Sequence, residues 1–88
     1  MAKKANIENL SRLQRKLRYS LCVDVEVFID EHGGKVSQEE FLKAFNADSE
    51  WNGEYKIWAK EANENLETVL KEEIFPNYCK KGSNILKL

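Results

Sequence analysis

Cysteine and histidine are too scarce in this 88-residue chain to build a metal centre or a disulfide framework. There are two cysteines, Cys22 and Cys79, with no CxxC pair, and one histidine, His32; small secreted domains and zinc sites need more of both, at closer spacing. No run of about 18 apolar residues is present, which excludes a membrane-spanning helix. The N-terminal lysines are not followed by an apolar stretch of the length a secretory signal requires. Free thiols in a reducing cytoplasm are therefore expected. Proline occurs once, at position 76, so only one point is barred from helix by that residue. There is no internal repeat, no low-complexity segment and no nucleophile–base constellation. The chain reads as a non-enzymatic protein without a cofactor.

What the chain does have is charge sorted into blocks beneath a net charge of −1. Residues 1–18 hold six cations against Glu8 and carry +5; residues 24–73 hold fourteen carboxylates against five lysines and carry −9; residues 74–88 carry +3. Opposed fields of this kind steer macromolecular partners and leave the fold undetermined. One domain of this size buries only a modest core, and with disulfide and metal reinforcement set aside, self-association is the expected support.

Helical periodicity dominates. Leu10, Leu13, Leu17, Leu21, Val25 and Phe28 recur every three or four residues, predicting a first helix over about 6–32 that ends at Gly33-Gly34. Residues 20–29 also alternate in the β-branched fashion of a strand, and helix is preferred because the stripe runs in unbroken from upstream. Ser37 with Glu40 forms a capping-box pattern, opening a short helix over 38–46 around Phe41, Leu42, Ala44 and Phe45. Asp48 and Ser49 are positioned to cap a third helix over 49–75, with Trp51, Tyr55, Trp58, Ala62, Leu66 and Val69 on its apolar stripe and Pro76 ending it. Its part from Glu54 to Phe75 would span ~33 Å. Residues 1–5 read as a flexible N-terminus and 77–88 as an irregular, adhesive or frayed tail. The expectation is an all-α bundle of three main helices.

Several segments carry candidate chemistry. Residues 30–41 resemble a calcium-binding EF-hand at Gly34, Val36 and Glu40, but the first and fifth ligand positions fall on Ile29 and Gly33, which lack side-chain oxygens. Residues 38–60 have the helix succession of a DNA-binding helix–turn–helix, yet Glu50, Glu54, Glu61 and Glu64 outnumber Lys56 and Lys60 there, and phosphates repel such a face. A better nucleic-acid footprint is the basic segment 3–18, with Arg12, Arg15, Lys16 and Arg18 beside Tyr19; equally, that segment could pack on the acidic body of a second copy. The carboxylates of 39–73 can imitate phosphates or dock a partner. Trp51, Tyr55 and Trp58 are core candidates that also suit a homodimer seam. Cys22 reads as a small buried hydrophobe, Cys79 as a thiol near lysines without a base, and His32 as a helix C-terminal cation.

Residues 17–24 (LRYSLCVD), His32-Gly33, the run Ala44-Phe45-Asn46-Ala47-Asp48-Ser49-Glu50-Trp51 and Leu66-Glu67-Thr68-Val69 occur in an order that resembles the C-terminal helical region of Gam-type host-nuclease inhibitors of lambdoid phages. The resemblance covers about fifty residues between 17 and 69. It implies an all-α, dimeric protein of the bacterial cytoplasm that binds the RecBCD helicase–nuclease and blocks its access to DNA ends, partly by presenting a helix in place of DNA. It also favours helix over strand at 20–31. In that family a long carboxylate-rich helix precedes this region, whereas here the preceding segment is short and basic. Any mimicry would then fall to the acidic last helix. The expected partner-binding set is Arg12, Arg15, Lys16, Arg18, Glu50, Trp51, Glu54, Tyr55, Trp58, Glu61 and Glu64.

Overall fold

Ser11 starts the first helix by a reciprocal cap. Its hydroxyl accepts the Gln14 N–H at 3.1 Å, and its own N–H donates to Gln14 Oε1 at 2.9 Å, so two amides that a helix start leaves unpaired are satisfied. The computed structural model describes residues 11–88; Leu10, the expected flexible residues 1–5 and the first turns of the expected helix 6–32 lie outside the described residues. Helix α1 runs Arg12–Glu31 and buries Leu17, Leu21, Val25 and Ile29. Helix, not strand, is thus what residues 20–29 adopt, and the buried stripe ends on Ile29, with Phe28 half-buried beside it and Leu13 exposed. The four-residue steps keep these side chains on one face. At the far end Gly33 (φ 82) and Gly34 (φ 96) enter the left-handed region, and the Gly34 N–H returns to Ile29 O at 2.9 Å. That closure reverses the chain at a conformation glycine adopts without steric cost.

The reversal delivers strand β1, Lys35–Ser37, an element absent from the sequence reading. It pairs antiparallel with β2, Ile85–Lys87, in the register Lys35–Lys87, Val36–Leu86 and Ser37–Ile85. The tail expected to be irregular or frayed is therefore anchored. Leu86 is 0% exposed, Gln38 N–H donates to Asn84 O at 2.8 Å, and Lys87 N–H donates to Tyr78 O at 2.7 Å. Only every second residue of so short a strand can reach the core, which is why one apolar side chain, Leu86, was too weak a sequence signal.

Ser37 ends β1 and caps helix α2, Gln38–Ala47, accepting the Glu40 N–H at 3.0 Å. Asp48 then separates α2 from helix α3, Ser49–Glu61, and caps the latter through the Trp51 N–H at 3.0 Å. Buried Asn52 holds this sharp junction together: its Nδ2 donates to Phe45 O at 3.0 Å and to Asp48 O at 2.8 Å.

The expected single helix over 49–75 is broken after Glu61. Asn63 takes φ 60, the Glu64 N–H returns to Ala59 O at 2.8 Å, and Asn65 caps a new one-turn helix α4, Leu66–Val69, through the Thr68 N–H at 2.9 Å. Asparagine tolerates the left-handed conformation and competes well for cap positions, so the Asn63-Glu64-Asn65 sequence turns a corner. α4 continues as a wide π turn over Leu70–Ile74 and a 3₁₀ turn over Phe75–Asn77 that contains Pro76. The bend brings Val69, Leu70, Ile74 and Phe75 back onto α1 and α2.

The fold is predominantly α, as expected, with four α-helices and one small ribbon among the described residues. Phe41 is the hub of its core, with ring centroids at 5.1 Å from Phe28, 5.8 Å from Phe45, 5.6 Å from Trp51 and 5.5 Å from Phe75. The Phe45 pair is stacked and the other three are edge-to-face, arrangements that add to simple burial. Among the described residues no helix is long and apolar enough to cross a membrane.

Candidate partner-binding surface

The eleven expected contact residues separate by position into an inner and an outer group. Arg18 is inner. Its side chain is 14% exposed and grips Glu73 through Nε at 2.7 Å and a terminal nitrogen at 2.9 Å, while the other terminal nitrogen meets Glu64 at 2.9 Å. That nitrogen also donates to Gln14 O at 3.0 Å. A planar guanidinium suits this forked arrangement, and the carboxylates of Glu73 and Glu64 raise its pKa further above its ordinary value despite partial burial. Part of the basic segment is thus neutralised within the fold by part of the acidic block, locking α1 to the bend after α3.

Trp51 and Tyr55 are inner as well. Trp51 lies among Phe28, Phe41 and Phe45 and donates from Nε1 to Asp24 Oδ2 at 3.0 Å. Tyr55 is buried and donates its hydroxyl to the same oxygen at 2.5 Å. Asp24 is the polar hub of the α1–α3 contact, and the sequence reading passed over it because an acid within an apolar run gives no indication of which donors will reach it. Burial, then the hydrogen bond and charge of Asp24, pushes the Tyr55 hydroxyl well above the ordinary tyrosine range. Tyr78 is raised likewise, by burial and its 2.6 Å bond to Glu26.

The sign of the pH effect follows. A proton held more tightly in the folded state stabilises it fully below the unfolded tyrosine pKa of about 10. That contribution is lost as the pH climbs beyond it. Denaturant unfolding followed from pH 7 to 11 should show stability falling above about pH 10, and Tyr55→Phe should flatten part of that fall while costing about 1 kcal/mol at neutral pH. An unchanged alkaline limb in Tyr55→Phe would refute the assignment.

The outer group is Arg12, Arg15, Lys16, Glu50, Glu54 and Glu61, all exposed. Glu50, Glu54 and Glu61 share the outward side of α3, opposite the buried Asn52, Tyr55 and Ala59. Between them sits Ile57, 60% exposed, which no periodicity argument singled out. At 1.5 Å per residue the carboxylates are separated by ~6 Å and ~10.5 Å along the axis. Trp58 flanks this row, half-buried, with its ring against Tyr55 at 5.6 Å and the Lys16 ammonium 5.6 Å from its own centroid. The Lys16–Trp58 cation–π contact is where the basic end of α1 meets the flank of the acidic helix.

The other motifs resolve into structural roles. Ile29, at the first EF-hand position, is in the core, and Ser37 and Glu40 serve the start of α2. Among the described residues no group of three His, Cys, Asp or Glu side chains could hold a metal ion. α2 and α3 are separated by Asp48 alone, too short for the turn of a helix–turn–helix. His32 caps α1, its Nδ1 2.8 Å from Phe28 O and its ring stacked on Phe28 at 4.0 Å. Cys22 is half-buried, and the Cys79 thiol donates to Phe75 O at 3.2 Å.

Residues carrying the Gam-like resemblance cluster at the framework joints: Asp24 on α1, His32 and Gly33 at the first reversal, and Phe45, Asp48 and Trp51 at the α2–α3 junction. Comparison with family models finds no match, and comparisons with curated proteins and with solved structures find none either.

Proposed function

We propose that this chain is a phage-type protein that binds a host DNA-processing or defence enzyme, of the RecBCD-like nuclease kind, and inhibits or modulates it by protein–protein contact. The observation that carries this reading is the exposed row Glu50, Glu54, Ile57 and Glu61 on α3. It offers negative charge in line, as a DNA strand does, around an apolar centre that DNA lacks. The charge would enter a channel built for phosphates, and the isoleucine would give contact with protein. The bend after Glu61 limits the imitation to α3, since the carboxylates beyond it point along another axis or, like Glu64, are held by Arg18. The Gam-like residues support the same class of partner.

The test is a linear-duplex degradation assay with purified RecBCD-type enzyme. Added protein should suppress end-dependent degradation, and Glu50→Lys/Glu54→Lys/Glu61→Lys should lose at least about tenfold in potency with an unchanged circular dichroism spectrum. Full potency in the triple variant would sink the acidic-row reading, and no effect of the wild-type protein would sink the function. A second reading, nucleic-acid binding through the basic segment, draws on the exposure of Arg12, Arg15 and Lys16; Lys3 and Lys4, which it also invoked, lie outside the described residues. It requires an affinity that falls steeply with salt.

A further inference from the structure

The side of α1 facing away from Leu17, Leu21, Val25 and Ile29 is also apolar at its middle. Tyr19, Val23 and Val27 follow at four-residue steps and are 73%, 40% and 49% exposed. Three large side chains in a row on the outside of a small domain mark an interaction surface. Charge is divided about that centre. Arg12, Arg15 and Lys16 precede it, and Asp30 and Glu31 follow it, all of them exposed.

This division is self-complementary in one orientation only. Two α1 helices lying antiparallel about a two-fold axis at Val23 set Tyr19 of each against Val27 of the other. The same register sets Lys16, seven residues before the axis, against Asp30, seven after it. A parallel pair would instead oppose like charges. We infer that the outward face of α1 is the seam of an antiparallel homodimer, its occupant a second copy of this chain. The twenty-residue helix, ~30 Å long, is long enough for four turns of contact around Val23. The interface is isologous, so the charge pair occurs twice. Lys16 keeps its place over Trp58 and presents its exposed ammonium to the partner. This seam differs from the aromatic one expected from the sequence, because Trp51 and Tyr55 are already committed to the core. It leaves the α3 row outward on both copies, which would present two inhibitor surfaces.

Sedimentation equilibrium of the full chain decides it. The wild type should approach twice the chain mass as concentration rises toward about 1 mM, and less readily at high salt. Val23→Arg, which brings two guanidinium groups together on the axis, should remain monomeric. Lys16→Glu should weaken association about tenfold, and Lys16→Glu/Asp30→Lys should restore it to within about threefold. Circular dichroism should match the wild type throughout, since these positions are exposed; were Val23→Arg to unfold, the charge pair alone would decide. A wild type monomeric across the whole range, or a double reversal no better than the single one, overturns the seam. Neither outcome bears on the nuclease assay, so the two proposals fail separately.

Discussion

Phe41→Ala is expected to cost about 4 kcal/mol, a large part of the stability a domain this small possesses. The ring is 0% exposed and touches Phe28, Phe45, Trp51 and Phe75, so its loss opens a cavity bordered by α1, α2, α3 and the segment after α4 at once. Those neighbours are aromatic and stiff and cannot collapse into the space without losing their own edge-to-face geometry. A domain of this size is held by only roughly 5–10 kcal/mol in total, so one ring is a large share of it. Phe41→Leu, which keeps much of the volume, should cost about 1.5 kcal/mol. Urea titration followed by tryptophan fluorescence measures both. A loss under about 1.5 kcal/mol in Phe41→Ala would mean that the aromatic cluster is not one cooperative unit.

Leu86→Ala is expected to cost about 3 kcal/mol, and ending the chain at Gly82 at least as much. A frayed tail would lose nothing on either change. Leu86 is fully buried opposite Val36, Asn84 just ahead of its strand accepts the Gln38 N–H, and Lys87 in the strand donates its N–H to Tyr78 O. Truncation would strip backbone partners from the start of α2 and from the turn at Tyr78, uncover Val36 and remove the strand's packing against α1. Urea midpoints and limited proteolysis of the two variants report the effect. Wild-type stability in the truncated chain would refute the anchoring role of the ribbon.

Local signals accounted for much of this fold. Ser37 and Asp48 begin α2 and α3 because a short oxygen-bearing side chain ahead of an apolar run has one good use, and that use needs nothing from the rest of the molecule. The Gly33-Gly34 stop is of the same kind. The α1 periodicity was legible against a competing strand pattern because tertiary packing selects one face, and only the four-residue steps from Leu17 to Ile29 keep that face buried. The outward valines, Val23 and Val27, were what made the segment resemble a strand. The break at Asn63 was missed because apolar spacing continued across it: Leu66 and Val69 fit the stripe of α3 while belonging to a different axis.

The candidate surface was legible in charge and illegible in position. Sequence assigned Arg18 and Glu64 to opposite patches, and the fold spends them on each other, since a guanidinium 14% exposed is stable only beside carboxylates. It offered Trp51 and Tyr55 both as core and as contact residues, and Asp24 draws both inward.

What the sequence determined by itself was the helical class, the capped starts of α2 and α3, the first reversal and the polarity of the charge blocks. Each rests on interactions within a few residues, or on composition alone. What only the tertiary structure decided was the corner at Asn63, the pairing of 35–37 with 85–87, and which charges and aromatics reach solvent. The corner is built from local turns and a cap that only packing selects over a continued helix. The strand pairing and the exposures depend on contacts between residues some fifty positions apart, such as Arg18 with Glu73 and Val36 with Leu86. No local pattern encodes such pairs, because chain closure over that distance is set by the packing of the whole core.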